Sequence, residues 1–78
     1  MDFAERLAET MRRVRQQAGL NQREMARRLG ISQATLARLE GGAQNTNLKI
    51  IEQVCRALRC DIGELFGGSV KMPSTRRR

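Results

Sequence analysis

Three short motifs of identical spacing divide the chain and predict where its helices begin. In each motif an Asp or Asn is followed three residues later by a Glu, and this spacing lets the two residues cap a helix N-terminus reciprocally. The three pairs are Asp2 and Glu5, Asn21 and Glu24, and Asp61 and Glu64. Apolar residues recur every three or four positions after each motif, and no stretch alternates with period two. The chain is therefore predicted to be all-helical.

Further caps and glycines divide the chain into five predicted helices over residues 3–18, 22–29, 33–40, 48–58 and 61–66. The residues expected on their apolar faces are Phe3, Leu7, Met11, Val14 and Ala18, then Met25, Ala26 and Leu29, then Leu36 and Leu39, then Leu48, Ile51, Val54, Cys55 and Leu58, and finally Ile62, Leu65 and Phe66. We expect residues 1–66 to form one compact five-helix domain. Residues 67–78 change to Ser, Pro, Thr and Arg and are predicted to be a basic, flexible tail.

The net charge of +7 is concentrated in two parts of the chain. Residues 12–38 hold seven arginines and one acid, a net charge of +6, and residues 67–78 hold four basic residues and no acid. A basic central segment in a chain that is otherwise acidic before residue 67 is typical of a protein that binds a polyanion. A helix face that is merely exposed to solvent can have the same composition. The tail either extends along the phosphate groups of a bound nucleic acid or is simply exposed to solvent.

Several classes of protein are disfavoured by what the sequence lacks. The chain has no His, so the commonest general base is missing, and its two cysteines cannot complete a zinc site. We therefore expect no enzyme, no metal and no cofactor. Cys55 and Cys60, both in an apolar helical pattern, are predicted to be buried free thiols. No apolar run approaches a membrane span of roughly 20 residues and no signal peptide is evident, so we expect a cytoplasmic protein.

The segment from Gln22 to Leu39 carries the strongest functional signal. Its two predicted helices are too short to bury much surface alone, so they must pack against each other at a steep angle. Ala26 is small where the helix axes would cross, and Gly30 permits the positive φ of the turn. This pattern is typical of a helix-turn-helix whose second helix enters the major groove of DNA.

The same residues resemble the phage-repressor and Cro type of helix-turn-helix, also called the xenobiotic-response-element family. The resemblance covers residues 8–66 and is carried by MRRVRQQAGLNQREMARRLGISQATLARLEGG, NTNL and CDIGELF. It implies a five-helix bundle of prokaryotic or phage origin that reads double-stranded DNA through its third helix, usually as a homodimer on a pseudo-palindrome. Arg59 stands where the family usually has Gly. Either Arg59 therefore adopts the left-handed backbone conformation, or the fourth helix ends differently.

The resemblance also implies roles for individual residues. Base contacts are expected from one face of the third helix, and Gln and Arg there can each form two hydrogen bonds, to adenine and guanine respectively. The base-reading candidates are Gln33, Ala34, Ala37 and Arg38, and the phosphate candidates are Asn21, Gln22, Arg23, Thr35 and Asn45. Arg15 and Glu40 match a family salt bridge between the first and third helices. A dimer is expected to use Ile62, Leu65 and Phe66, with Val70 and Met72 as further candidates.

These features favour a sequence-specific regulator of transcription that represses by occupying an operator. Two alternatives remain open at this point. One is the antitoxin of a toxin–antitoxin pair, which would bind a toxin protein and regulate its own operon. The other is a restriction–modification controller protein.

Overall fold

All five predicted helices form, and each begins at its predicted cap. A computed structural model describes residues 2–42 and 46–73. Within these ranges it contains no strand and consists of α1 (Phe3–Gln17), α2 (Gln22–Leu29), α3 (Gln33–Glu40), α4 (Leu48–Leu58) and α5 (Ile62–Gly67). The three predicted capping boxes all close, with both reciprocal hydrogen bonds present. α1 ends one residue earlier than predicted, and α5 both begins and ends one residue later.

Three of the helices, α2, α4 and α5, end directly at a left-handed residue that reverses the chain. At α2 this residue is Gly30, whose φ is 76°, and at α4 it is Arg59, whose φ is 56°. In both cases the next backbone N–H donates to the carbonyl oxygen five residues earlier, which is the Schellman motif. The first of the two expectations for Arg59 is therefore correct: this arginine adopts a conformation that favours glycine.

The core lies where α1 and α2 meet the other three helices. α1 packs against α3 and α5, α2 packs against α3 and α4, and α4 packs against α5. The buried apolar side chains are Leu7, Ala8, Met11, Val14, Met25, Ala26, Leu29, Leu36, Leu39, Ile51, Val54, Leu58, Leu65 and Val70. In the described ranges no helix is long and apolar enough to cross a membrane.

Several predicted core positions are wrong. Leu48 is 78% exposed, Ala18 is exposed, and Cys55 is only half-buried. Phe3 is 73% exposed, and its ring meets the ring of Phe66 edge-on with the centroids 5.5 Å apart. The physical reason is that helical periodicity identifies the apolar face of a helix, whereas burial also requires a neighbouring element to cover that face.

The predicted flexible tail begins too early, because residues 68–73 pack on the domain. We call this segment the C-terminal strap. Val70 is 7% exposed and joins the core, and Met72 packs against it. Arg13 of α1 donates to the carbonyl oxygens of Gly68 and Val70, and Arg28 of α2 donates to that of Pro73 at 2.8 Å. Residues 74–78 of the predicted tail lie outside the described residues.

We predict that the strap contributes to stability. Ending the chain after Gly68 removes the buried Val70 side chain, whose burial contributes about 2 kcal/mol. It also removes the Pro73 carbonyl group to which Arg28 donates and the Val70 carbonyl group to which Arg13 donates, while Arg13 keeps its bond to Gly68. The melting temperature measured by circular dichroism should fall by roughly 10 °C. The control ends after Pro73, retains every described contact and should melt close to the full chain. Equal melting of the two truncated chains would contradict this role.

Candidate nucleic-acid interface

The exposed face of α3 contains all four base-reading candidates. Gln33, Ala34, Ala37 and Arg38 are exposed, and they lie opposite the buried Leu36, Leu39 and Glu40. A helix with one face in the core and the other in solvent can enter a groove without disturbing the packing of the domain. The structure therefore brings the four side chains together on one accessible surface, which we call the α3 face.

The start of α3 is held by hydroxyl groups. The Ser32 Oγ accepts a hydrogen bond from the Thr35 backbone N–H at 3.0 Å and donates to the Thr35 Oγ1 at 2.8 Å. The turn before Ser32 depends on Gly30, because an added Cβ at Gly30 would lie 2.7 Å from the Gln53 Nε2. That same amide nitrogen donates to the Leu29 carbonyl oxygen at 2.9 Å. The turn therefore requires glycine both for its positive φ and for the space that Gln53 occupies.

The end of α3 is held by the buried carboxylate of Glu40, which is 5% exposed. Arg15 donates to both carboxylate oxygens, with its Nε 2.8 Å from Oε2 and its Nη2 3.1 Å from Oε1, so the expected ion pair is present and bidentate. Gln22 donates to Oε1 at 3.1 Å, and Arg12 donates to the Glu40 backbone carbonyl oxygen. The hydrogen bonds to Glu40 raise the pKa of Arg15, against the opposing effect of burial.

The phosphate candidates differ in their surroundings. Gln22 is half-buried and its amide already donates to Glu40, while Thr35 is bonded to Ser32. Asn21 caps α2 through its Oδ1, which accepts the Glu24 backbone N–H at 2.8 Å. Arg23 is exposed on α2. Asn45 lies outside the described residues.

Two basic residues on α4, which the sequence interpretation did not include, lie beside the start of α3. Lys49 and Arg56 are exposed and line a cleft of about 570 Å³ together with Ser32, Thr35 and Gln53. The signal in the sequence was the spacing of Lys49, Gln53 and Arg56, which places all three on one face of a helix. Glu52 lines the same cleft, so α4 adds a net charge of +1 beside the start of α3.

The basic segment over residues 12–38 is only partly a free surface. Four of its seven arginines, Arg12, Arg13, Arg15 and Arg28, donate to oxygen atoms of the protein. Only the charge of Arg15 is compensated by an acid in these contacts. Some arginines of this segment therefore bond to other parts of the protein, while the others only add positive charge to the surface. Composition alone does not distinguish these two roles.

The dimer candidates are not equally accessible. Ile62 is 52% exposed and Phe66 is half-buried, whereas Leu65 is completely buried inside the chain and offers no surface to a partner. The prediction for Leu65 is therefore wrong, because this side of α5 packs against the core. Val70 is also buried, and Met72 is half-buried.

An apolar groove lies between the start of α4 and α5. It has a volume of about 610 Å³, and we call it the α4–α5 groove; its lining consists of Leu48, Lys49, Ile51, Glu52, Cys55 and Ile62. Leu48, Ile51, Cys55 and Ile62 were all expected on apolar helix faces, and Leu48 is the most exposed of the four. In the part of the chain that the structure describes, no three His, Cys, Asp or Glu side chains are grouped to hold a metal ion.

Comparison with known proteins agrees with this geometry. Residues 6–65 match the family model described as a helix-turn-helix domain. Over 52 residues the chain is 40% identical to the antitoxin HipB of Escherichia coli, in strains CFT073 and K12 alike. The aligned part is 67% of this chain but only 55% and 59% of the two antitoxins, so the chain spans little more than half of their length.

Solved structures show the same fold. The clp gene regulator ClgR from C. glutamicum superposes with a TM-score of 0.70 at 25% identity, covering 88% of each chain. A regulator of the HTH_3 family from Vibrio cholerae also gives a TM-score of 0.70, at 22% identity, over 83% of this chain and 36% of its own. The arrangement of five helices is therefore shared with proteins described as regulators.

We predict that Glu40 and Arg38 affect stability very differently. Replacing Glu40 with Ala removes the carboxylate that pairs with Arg15 and accepts a hydrogen bond from Gln22, at a cost of about 3 kcal/mol. The melting temperature should therefore fall by more than about 10 °C. Arg38→Ala removes an exposed side chain and should leave melting nearly unchanged. Thermal circular dichroism of both variants tests this, and equal effects would contradict the assignment.

Proposed function

Because the chain belongs to the helix-turn-helix domain family, of the phage-repressor and Cro type, we propose that it is a regulator of transcription that recognises a specific sequence of double-stranded DNA. The observation that carries this proposal is the α3 face, which is exposed along its length and anchored at both ends. A recognition helix must present its side chains in a set orientation, because bidentate contacts to base edges tolerate little displacement.

The side chains of the α3 face suit distinct base edges. Arg38 can donate two hydrogen bonds to the O6 and N7 of guanine, and Gln33 can bond the N6 and N7 of adenine. Ala34 and Ala37 have only methyl groups, which can contact the methyl group of thymine or leave room for larger neighbours. We therefore assign most of the hydrogen-bonded specificity to Gln33 and Arg38.

Phosphate contacts would surround this face and position it. The Gln22 Nε2 has two hydrogen atoms, of which one is donated to Glu40, so the other remains for a phosphate oxygen. Asn21, Arg23, Thr35 and Asn45 are the other proposed contacts on this side. Arg56 adds positive charge beside the start of α3 and extends the proposed surface onto α4.

We propose that two copies pair through the α4–α5 groove. Leu48 and Ile62 supply exposed apolar surface there, and Phe66 continues α5. The groove also contains one base and one acid, Lys49 and Glu52, so a two-fold arrangement can place the lysine of each copy against the glutamate of the other. Such a dimer would place two α3 helices on half-sites about 34 Å apart and repress by occupying the operator.

The second candidate is an antitoxin that binds a toxin protein and regulates its own operon. The identity of 40% with HipB over 52 residues favours it. Both candidate functions use the α3 face to bind DNA, so a DNA-binding measurement does not distinguish between them. Purification of the chain with the product of a neighbouring gene would support the antitoxin, and purification of the chain alone from cells that express both genes would contradict it.

We predict that the α3 face determines sequence preference. A selection from random duplexes at about 0.15 M salt should enrich a two-fold symmetric site. Arg38→Ala should weaken binding to that site roughly 10- to 100-fold and relax one position in each half-site, because the bidentate guanine contact is lost.

The matched control is Arg27→Ala, which removes the same charge from an exposed position on α2, outside the α3 face. It should leave the selected sequence unchanged. If both variants lose affinity equally and keep the same selected sequence, α3 does not read bases. Failure of the unaltered chain to enrich any sequence would contradict the proposed function itself.

We predict that the α4–α5 groove holds the dimer together. Leu48→Glu and Ile62→Glu should each yield a monomer in sedimentation at micromolar concentration, because the new carboxylate would be buried among apolar groups. Gln16→Glu introduces the same charge at an exposed position on α1 and should remain dimeric. A wild-type chain that is monomeric both free and on DNA would contradict the pairing.

A further inference from the structure

The two cysteines of the chain meet at the C-terminal end of α4. Cys55 is in the last turn of this helix, and Cys60 follows the left-handed Arg59. The Cys60 backbone N–H donates to the Cys55 carbonyl oxygen at 3.0 Å, and the Arg59 N–H donates to the Arg56 carbonyl oxygen at 3.3 Å. These are the two bonds of the Schellman motif, in which the side chains at the positions of Cys55 and Cys60 commonly touch. The backbone therefore holds the two thiols side by side.

The electrostatics of Cys60 agree with this proximity. Burial raises the pKa of the Cys60 thiol to about 12, and the adjacent Cys55 together with Glu64 and Asp61 adds to the increase. Cys60 therefore keeps its proton at neutral pH. Cys55 lines the open α4–α5 groove, so its sulfur is the one that a small oxidant reaches first.

Small molecules can reach Cys55. Both cysteines are only half-buried, in contrast to the expected buried thiols, and Cys55 lines the open α4–α5 groove. The chain has no third cysteine to compete within the molecule. A thiol that is accessible from solvent and has a second thiol beside it is the arrangement in which oxidation ends in an intramolecular disulfide.

We propose that Cys55 and Cys60 are a thiol–disulfide pair that hydrogen peroxide oxidises and small thiols reduce. This proposal does not depend on DNA binding. Because the proposed dimer covers the α4–α5 groove that Cys55 lines, the reaction takes place on the monomer, which is in equilibrium with the dimer. The proposal concerns a site at the junction of α4 and α5, remote in sequence from the α3 face.

The reaction balances without any other reactant. The Cys55 sulfur attacks one peroxide oxygen, the O–O bond breaks, and the products are a sulfenic acid on Cys55 and one water. The Cys60 sulfur then attacks the Cys55 sulfur, the S–O bond breaks, and the proton of Cys60 leaves with the hydroxyl group as a second water. The sulfur atoms together lose two electrons to the peroxide. A small thiol reverses the reaction by thiol–disulfide exchange.

Intact-mass spectrometry of the full chain after treatment with a modest excess of hydrogen peroxide tests the proposal. The wild-type chain should lose two hydrogen atoms, lose both titratable thiols, remain a single chain on a non-reducing gel, and recover both thiols after reduction. Cys55→Ser and Cys60→Ser, checked for native helix content by circular dichroism, should never lose two hydrogens within one chain. They should instead gain oxygen or form a disulfide between two chains.

Three results with the wild-type chain would overturn the proposal. The first is a disulfide that links two chains, and the second is uptake of oxygen with no loss of hydrogen. The third is the persistence of both reduced thiols under conditions that oxidise free cysteine completely. None of these readouts involves DNA, so failure here is distinguishable from failure of the proposed regulator.

Discussion

The carboxylate of Glu40 is the interaction on which the recognition surface depends. A buried charge is unstable unless it is paired and hydrogen-bonded, and Glu40 receives Arg15 from α1 and Gln22 from α2. Three helices are thereby joined at one side chain, and Arg12 adds a fourth hydrogen bond, to the Glu40 backbone carbonyl oxygen. Because Glu40 is the last residue of α3, this cluster orients the helix whose opposite face is exposed.

The stability of the short helices α2 and α3 also depends on how their ends are capped. An isolated helix of eight residues is not stable in water, so α2 and α3 require capping and tertiary packing to form. Side-chain caps satisfy the first backbone N–H groups, and Schellman turns satisfy carbonyl groups at the ends of α2 and α4. At α2 the turn uses Gly30, whereas at α4 it uses Arg59 and accepts the cost of a left-handed side chain. The second of these turns also brings the two cysteines together.

Local patterns predicted most of the fold and the position of the candidate site, because caps and apolar periodicity act over a few residues. The same patterns predicted Leu48 wrongly, because they identify a face of a helix without identifying what covers it. The strap was also missed, since Val70 is buried and Arg13 donates to carbonyl groups more than fifty residues away. Contacts of that range have no periodic signature in the sequence.

The sequence by itself therefore determined the five helices, their caps and the exposed face of α3, since each of these follows from residue type and spacing within one or two helical turns. Only the tertiary structure decided how the arginines are divided between packing and solvent, which apolar side chains form the α4–α5 groove, and where the strap lies. The physical reason is that a guanidinium or an apolar side chain is equally suited to several partners. Its actual partner is set by the packing of distant elements against one another.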